Sequence, residues 1–220
     1  MSRADTGRVR LTERDLRVLT WVGEMYAVDL DVLAELVARW SPGRVADGSR
    51  GPLARSQAGR LERAGVASRR TVLGRPWLVP SRRGLEFAGL PYAAWEPVGW
   101  KLDHLAAVAR LRLELETGYT SWESERAIRA RWHGSGARVR IPDGAVTLPD
   151  GRRVAVEVEL HRKARHRYGP IVAEQDPRWD ECMWFVRPGD VAWLSSVLED
   201  VAKPARPVHR VATLPDGTGS

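Results

Sequence analysis

Residues 141–160 read IPDGAVTLPDGRRVAVEVEL, and this stretch predicts a β-hairpin around which the second half of the chain is organised. Its second arm alternates strictly along residues 153–160, so one set of side chains falls on each face of a strand. One face carries Val154, Val156, Val158 and Leu160, and the other carries Arg153, Ala155, Glu157 and Glu159. The run Pro149-Asp150-Gly151 favours a turn, because proline presets φ and glycine accepts positive φ.

The hairpin geometry predicts a patch of carboxylates on one face. If Asp150 lies at the tip, antiparallel partners have numbers that sum to about 300, which pairs Asp143 with Glu157. Their Cβ atoms would lie about 5 Å apart, and Glu159 lies two residues further along the same face. Like charges in this arrangement repel each other, so the carboxylates must be exposed, protonated or accompanied by a cation.

Two interpretations of this patch remain open. In the first, Asp143 and Glu157 hold Mg²⁺, which prefers one or two carboxylates together with water and phosphate oxygens, for phosphodiester chemistry. Flanking phosphates would be held by Arg162, Arg165 and Arg167. In the second interpretation, Glu157 and Glu159 form the solvated face of an edge strand.

The bulk composition indicates a globular protein. The chain has 220 residues, of which 43% are hydrophobic and 29% are charged, and this suits one large or two small domains. Its single cysteine, Cys182, excludes an intramolecular disulfide framework and a cysteine zinc cluster, and suits the reducing cytoplasm. No apolar run is long enough to predict a membrane span, and residues 1–10 lack the apolar core of a signal peptide.

Positive charge is concentrated in one segment of the chain. The formal net charge is +7, and residues 50–83 contain nine arginines against a single acid, Glu62. Such a concentration is typical of a nucleic-acid-binding surface, so DNA is the expected partner. A basic face that is merely solvated is the alternative.

Residues 11–90 predict three helices followed by a short hairpin. Thr12 and Asp15 form a capping-box pattern at the start of the first helix, and Pro52 and Gly65 delimit a short, basic third helix. This order predicts a winged helix-turn-helix, in which the third helix enters the major groove and the hairpin, or wing, follows the backbone. The DNA-binding residues predicted here are Arg55, Gln57, Arg60, Arg63, Arg69, Arg70 and Arg75.

The rest of the chain predicts an α/β domain with the element order α-β-α-β-β-α-β-α-β and a mixed sheet, and the run from His161 is predicted to begin a helix. The predicted divisions are a disordered N-terminus (1–10), the winged helix (11–90), a linker (91–100), the α/β domain (101–212) and a flexible tail (213–220).

In the linker, Trp95 and Trp100 can stack on bases or pack into a core, and the second role is favoured because large aromatic side chains are usually buried.

One part of the second domain resembles a known nuclease core. Pro142-Asp143, then Glu157-x-Glu159 at the end of an apolar strand, with Lys163 just beyond, resembles the PD-(D/E)xK nucleases. The resemblance implies a restriction-endonuclease-like fold in which Asp143 and Glu157 bind Mg²⁺ or Mn²⁺ and a lysine helps to activate water. Glu159 stands where that lysine is usual, as in members with ExE, and Lys163 would supply the positive charge.

The order of motifs along the whole chain is similar to the replication-relaxation family of plasmids and integrative elements. The motifs are the LTERDLRVL opening, the winged helix, Asp103-His104-Leu105, Ser124-Glu125-Arg126, Ile141-Pro142-Asp143-Gly144 and the VEVEL strand. Within them, Glu125 resembles an extra helix acid of some nuclease members.

Two functions follow from this resemblance. The first is a DNA-binding protein that acts in replication and DNA relaxation, with metal-dependent phosphodiester cleavage. The second is a non-catalytic regulator or replication accessory factor, whose second domain forms a homodimer or recruits other replication or transfer proteins.

Overall fold

A computed structural model describes residues 10–41, 50–116, 121–132, 140–175, 177–201 and 207–215. The fold is a mixed α+β arrangement, as predicted, and the chain divides into two compact units, residues 1–106 and 107–220. Among the described residues, no helix is both long and apolar enough to span a membrane.

The described part of the chain contains eight α-helices and eight β-strands. The helices are α1 (Glu13–Glu24), α2 (Leu30–Arg39), α3 (Arg50–Arg63), α4 (Arg82–Phe87), α5 (Gly99–Leu115), α6 (Glu125–Trp132), α7 (Tyr168–Ala173) and α8 (Val191–Val201). The strands are β1 (Val28–Asp29), β2 (Ala67–Val72), β3 (Arg75–Pro80), β4 (Ser121–Ser124), β5 (Gly144–Thr147), β6 (Arg153–Glu159), β7 (Glu181–Val186) and β8 (Val208–Thr213). From α5 onward this is the element order that the sequence predicts.

The first unit has a three-stranded antiparallel sheet of order β1-β3-β2, in which β1 lies between α1 and α2 and the β2–β3 hairpin follows α3. The predicted capping box is present, since the Thr12 side chain accepts from the backbone of Asp15 and the Asp15 carboxylate accepts from the backbone of Thr12. Fully buried side chains of the three helices form the core, among them Val18, Leu19, Val22, Leu33, Leu36 and Leu61. The strand β1 was not predicted, because two residues are too few to show a strand period.

One carboxylate joins the first and third helices. Asp15 is almost fully buried and accepts hydrogen bonds from Gln57 Nε2 and Arg60 Nε, each at 2.7 Å. Burial by itself raises the pKa of Asp15, but the bonds from Thr12, Arg60 and Gln57 outweigh it and hold the pKa below its ordinary value. The ionised carboxylate therefore anchors α3 against α1.

In the second unit, a five-stranded mixed sheet has the order β4-β5-β6-β7-β8. The β4–β5 and β5–β6 pairs are antiparallel, whereas the β6–β7 and β7–β8 pairs are parallel. An apolar cluster on this unit joins the sheet to its helices; its members include Ile128, Ala155, Tyr168, Trp184, Leu194 and Val197. The strand β6 is thus central in the sheet, with a paired strand on each side.

The β5–β6 hairpin has the predicted register. Gly144 pairs with Val156 and Thr147 pairs with Arg153, so partner numbers sum to 300. Gly151 has a φ of +85° in the turn, which favours glycine. A Cβ at Gly144 would lie 2.3 Å from the Trp122 ring, so the first residue of β5 must be glycine for the ring to lie over it.

Candidate functional site

The centre of the candidate site is Glu157, on the central strand β6. Only 2% of this residue is exposed, and its carboxylate is held by two side chains. Arg140 donates from Nε to Oε1 and from Nη2 to Oε2, both at 2.8 Å. Gln175 adds a third bond, from Nε2 to Oε1, at 2.8 Å. Both carboxylate oxygens are therefore occupied by donors of the chain itself.

The interpretation of Glu157 and Glu159 as the solvated face of an edge strand is wrong. Glu159 is only 9% exposed, and β6 lies between β5 and β7. Alternation of polar and apolar residues normally indicates a strand with one solvent-exposed face, but in β6 the polar face is buried as well as the apolar face. Ala155, on the same face as both glutamates, belongs to the apolar cluster of the unit.

Asp143 precedes β5 by one residue and reaches across to β6. Its Oδ2 accepts a hydrogen bond from the backbone N–H of Val158 at 2.8 Å. The side chain is half-buried, and its charge is close enough to raise the pKa of Glu157. The structure thus brings together Asp143, Glu157 and Glu159, which we call the carboxylate cluster.

Lys163 completes the neighbourhood of the cluster. Its Nζ donates to the Glu159 carboxylate, and its backbone N–H donates to the Tyr168 hydroxyl at 3.3 Å. The residue lies in the segment that follows β6, not on a helix as predicted, because the helical turns begin only at Arg165. Burial lowers the pKa of Lys163, and the nearby Arg140 charge lowers it further.

Two cations, Arg140 and Lys163, pair with two of the three acids of the carboxylate cluster. Burial raises the pKa of Glu157 above its ordinary value, although the bidentate bond from Arg140 acts in the opposite direction. Burial likewise lowers the pKa of Arg140, but the Glu157 carboxylate outweighs this and leaves that pKa above its ordinary value. A guanidinium stays protonated in proteins, so Arg140 supplies a permanent positive charge at the site.

The donor set leaves little room for a divalent cation at Glu157. Mg²⁺ binds carboxylate oxygens in near-octahedral geometry at about 2.0–2.1 Å, and here such a bond requires the displacement of Arg140. Within the described ranges, no group of three or more His, Cys, Asp and Glu side chains has an arrangement that could hold a metal ion. The described arrangement therefore does not fit an open magnesium site.

Three of the other residues predicted for this site form ion pairs outside the carboxylate cluster. Glu125, at the start of α6, pairs with Arg129 one turn along the helix. Arg162 binds Asp190 at 2.6 Å, and Arg165 binds Asp200 at 2.8 Å, so both tie the segment after β6 to residues in or before α8. Arg167 is exposed.

In the first unit, the predicted DNA-binding residues fall into two groups. Arg55, Arg63 and Arg70 are exposed and have no ion-pair partner among the residues that the structure describes; we call them the basic face. The others are engaged within the unit: Gln57 and Arg60 with Asp15, Arg69 with Glu62, and Arg75 with Asp103.

The helical period explains which residues of α3 point outward. At 100° per residue, Ala54, Gln57, Ala58 and Leu61 share one side, and all four are buried. Arg55, Ser56, Gly59 and Arg63 share the opposite side. Gln57 thus lies on the core side of α3, where its amide binds Asp15 and does not join the exposed arginines.

Sequence reasoning missed two residues of the site. Arg140 precedes the hairpin by one residue, and the only hint of it was the need for a cation among three carboxylates. Gln175 follows α7, and no local pattern marks it as a partner of Glu157.

Comparison of the chain with protein-family models, with curated proteins and with solved structures finds no match. The resemblance to the replication-relaxation family stays a hypothesis. The function is therefore inferred from the contacts and charges of the residues described above.

We predict that Arg140→Met destabilises the protein by about 3–5 kcal/mol, because it leaves the buried Glu157 carboxylate without its cation. The double variant Arg140→Met, Glu157→Met should lose less than the single one, since no buried charge is then unpaired. Urea titration measures the free energy of unfolding of the wild type, the single variant and the double variant. As a matched control, Arg129→Met breaks the more exposed pair with Glu125 and should cost about 0.5 kcal/mol or less. Equal losses for Arg140→Met and Arg129→Met would contradict the prediction.

Proposed function

We propose that the chain is a DNA-binding protein that docks on duplex DNA through a winged helix-turn-helix in residues 11–90. We further propose that it acts in the replication or relaxation of a plasmid or integrative mobile element. The observation that carries the first proposal is the basic face: Arg55 and Arg63 on the outer side of α3, and Arg70 on the hairpin that follows.

The arrangement of elements supports this mode of docking. Three helices precede the β2–β3 hairpin, which is the order of a winged helix. In such a domain the third helix enters the major groove, where α3 would present Arg55, Ser56 and Arg63. The wing would follow the phosphate backbone with Arg70.

The engaged residues have a positioning role in this proposal. Asp15 binds Gln57 and Arg60 on α3, so the helix that enters the groove is fixed to α1 by a buried carboxylate. Rigid placement of a recognition helix reduces the conformational entropy lost on binding. Gln57 and Arg60 would therefore act through the orientation of α3, whereas the basic face would contact phosphates.

For the second unit we propose a nuclease-like domain that works without catalysis, in a regulator or replication accessory factor. The support is that Arg140 and Lys163 occupy Glu157 and Glu159, the residues that would ligate a metal or orient water. A domain of this kind would form a homodimer or recruit other replication or transfer proteins.

Metal-dependent cleavage of DNA is the second candidate. The observation in its favour is the convergence of Asp143, Glu157, Glu159 and Lys163 at the end of β6, in the order that resembles the PD-(D/E)xK core. When bound, Mg²⁺ or Mn²⁺ would polarise the phosphate and lower the pKa of water. Arg140 would have to leave Glu157 first.

We predict that Arg55→Ala, Arg63→Ala and Arg70→Ala, combined in one protein, weaken duplex binding by about tenfold or more, because three phosphate contacts are lost. Fluorescence anisotropy with a labelled duplex measures the affinity. The matched control is Arg187→Ala, an exposed arginine of the second unit, which should leave the affinity unchanged. A triple variant that binds as tightly as the wild type would contradict docking through the basic face.

We predict that supercoiled plasmid stays supercoiled when it is incubated with the protein and Mg²⁺ or Mn²⁺, because Arg140 and Lys163 hold the carboxylates. For the same reason Mn²⁺ should not bind to the protein. Its melting temperature should therefore stay unchanged, whereas a ligand that bound the native state would raise it. Asp143→Asn and Glu157→Gln serve as controls, after circular dichroism has shown that they fold. Nicking by the wild type that both variants lose would establish the second candidate instead.

A further inference from the structure

Three large apolar side chains of the first unit are exposed on the β2–β3 turn and at the start of α5. Leu73, in the turn of the β2–β3 hairpin, is 76% exposed, and Trp100, in the first turn of α5, is 78% exposed. Val98, just before α5, is 41% exposed. We call these three residues the apolar tip. Exposed apolar groups gathered at one place usually mark a binding surface.

The parts of the apolar tip lie close together. A Cβ built at Gly99 would be 3.5 Å from Leu73 Cδ1, so the leucine side chain lies against the residue between Val98 and Trp100. The backbone bond from Lys101 N–H to the Val98 carbonyl, at 2.9 Å, closes the turn that begins α5. The hairpin turn and the start of α5 therefore form one surface.

The backbone at Leu73 is strained for no gain in burial. Its φ is +51°, and the following Gly74 has a φ of +75°. A non-glycine residue in this region costs about 1–2 kcal/mol, and asparagine or glycine adopts it more readily than leucine. A strained leucine that stays exposed is more easily explained by contact with a ligand than by the folding of the unit.

Trp100 differs from Trp95, the other tryptophan for which stacking on bases is considered, and from Trp77. Trp95 packs edge-to-face on Tyr26, with ring centroids 5.6 Å apart. Trp77 is fully buried. Trp100 instead presents its ring to solvent, with Lys101 Nζ 5.1 Å from the ring centroid. Its ring is accessible for stacking, which the sequence alone made the less favoured role.

The charge around the apolar tip selects the kind of partner. Lys101 lies at Trp100, and the hairpin that carries Leu73 also carries Arg70 and Arg75. Asp103 is the acid that pairs with Arg75, at 3.3 Å. An apolar wedge and an aromatic ring among cations suit unstacked bases on a phosphate backbone, because every base has a face for stacking and every phosphate needs a cation.

We propose that the apolar tip binds locally melted DNA, with Trp100 stacked on an unpaired base and Leu73 inserted between bases at the junction with the duplex. This inference rests on the proposed DNA-binding function and deepens it. The basic face would hold the duplex, and the apolar tip would recognise a site where the strands separate, which replication requires.

The test compares a labelled duplex with the same duplex carrying a central bubble of unpaired thymines. The 220-residue chain should bind the bubble about fivefold or more tightly than the duplex, the effect expected of one stacked base. Trp100→Ala should remove this preference and keep duplex affinity within about twofold, because its contact is made only to the unpaired base. Leu73→Asn should weaken the preference too, and it folds without penalty because asparagine accepts positive φ. Phe87→Ala, which removes another exposed aromatic ring of the same unit, should keep the preference.

The outcomes separate this inference from the function on which it rests. Failure to bind either DNA would overturn the proposed function and the inference with it. Equal binding of duplex and bubble, unaffected by Trp100→Ala, would overturn the inference and leave duplex binding in place. A wild-type dimer that Trp100→Ala converts to a monomer, seen by analytical ultracentrifugation without DNA, would make the apolar tip a self-association surface and would also overturn the inference.

Discussion

The bidentate pairing of Glu157 with Arg140 is the interaction on which the second unit depends. An ionised carboxylate on the central strand, almost without access to water, costs several kcal/mol unless a cation and further hydrogen bonds compensate. Arg140 and Gln175 provide both, and Lys163 does the same for Glu159. Cations of the chain itself thereby offset the charge of the two glutamates, and this is why we favour a role without catalysis.

The first unit uses arginine and carboxylate in a related way. Asp15 is buried at the start of α1 and binds two side chains of α3, so one acid links the two helices. Arginines near acids hold elements together, as Arg60, Arg69 and Arg75 do, and those without acids remain exposed. The basic segment is therefore divided between structure and surface, and only Arg55, Arg63 and Arg70 are assigned to DNA.

Local patterns in the sequence predict much of this arrangement. The alternation of residues 153–160 and the turn at Gly151 give the register of the hairpin, and Thr12 with Asp15 gives the start of α1. Burial of the polar face of β6 was not predictable, because it depends on the distant residues that cover it. Gln57 is different: its spacing from Ala54, Ala58 and Leu61 already indicates the core side of α3. Lys163 lies before the helical turns since those begin only at Arg165.

Duplex affinity as a function of salt concentration is the most direct measurement of the central claim, that exposed arginines of the first unit hold DNA phosphates. Each neutralised phosphate contributes about −0.9 to the slope of log K against log salt, so the basic face predicts a slope of about −3 or steeper. The wild-type protein and a labelled duplex suffice for the titration. A slope near zero, with affinity unchanged between low and moderate salt, would contradict the claim.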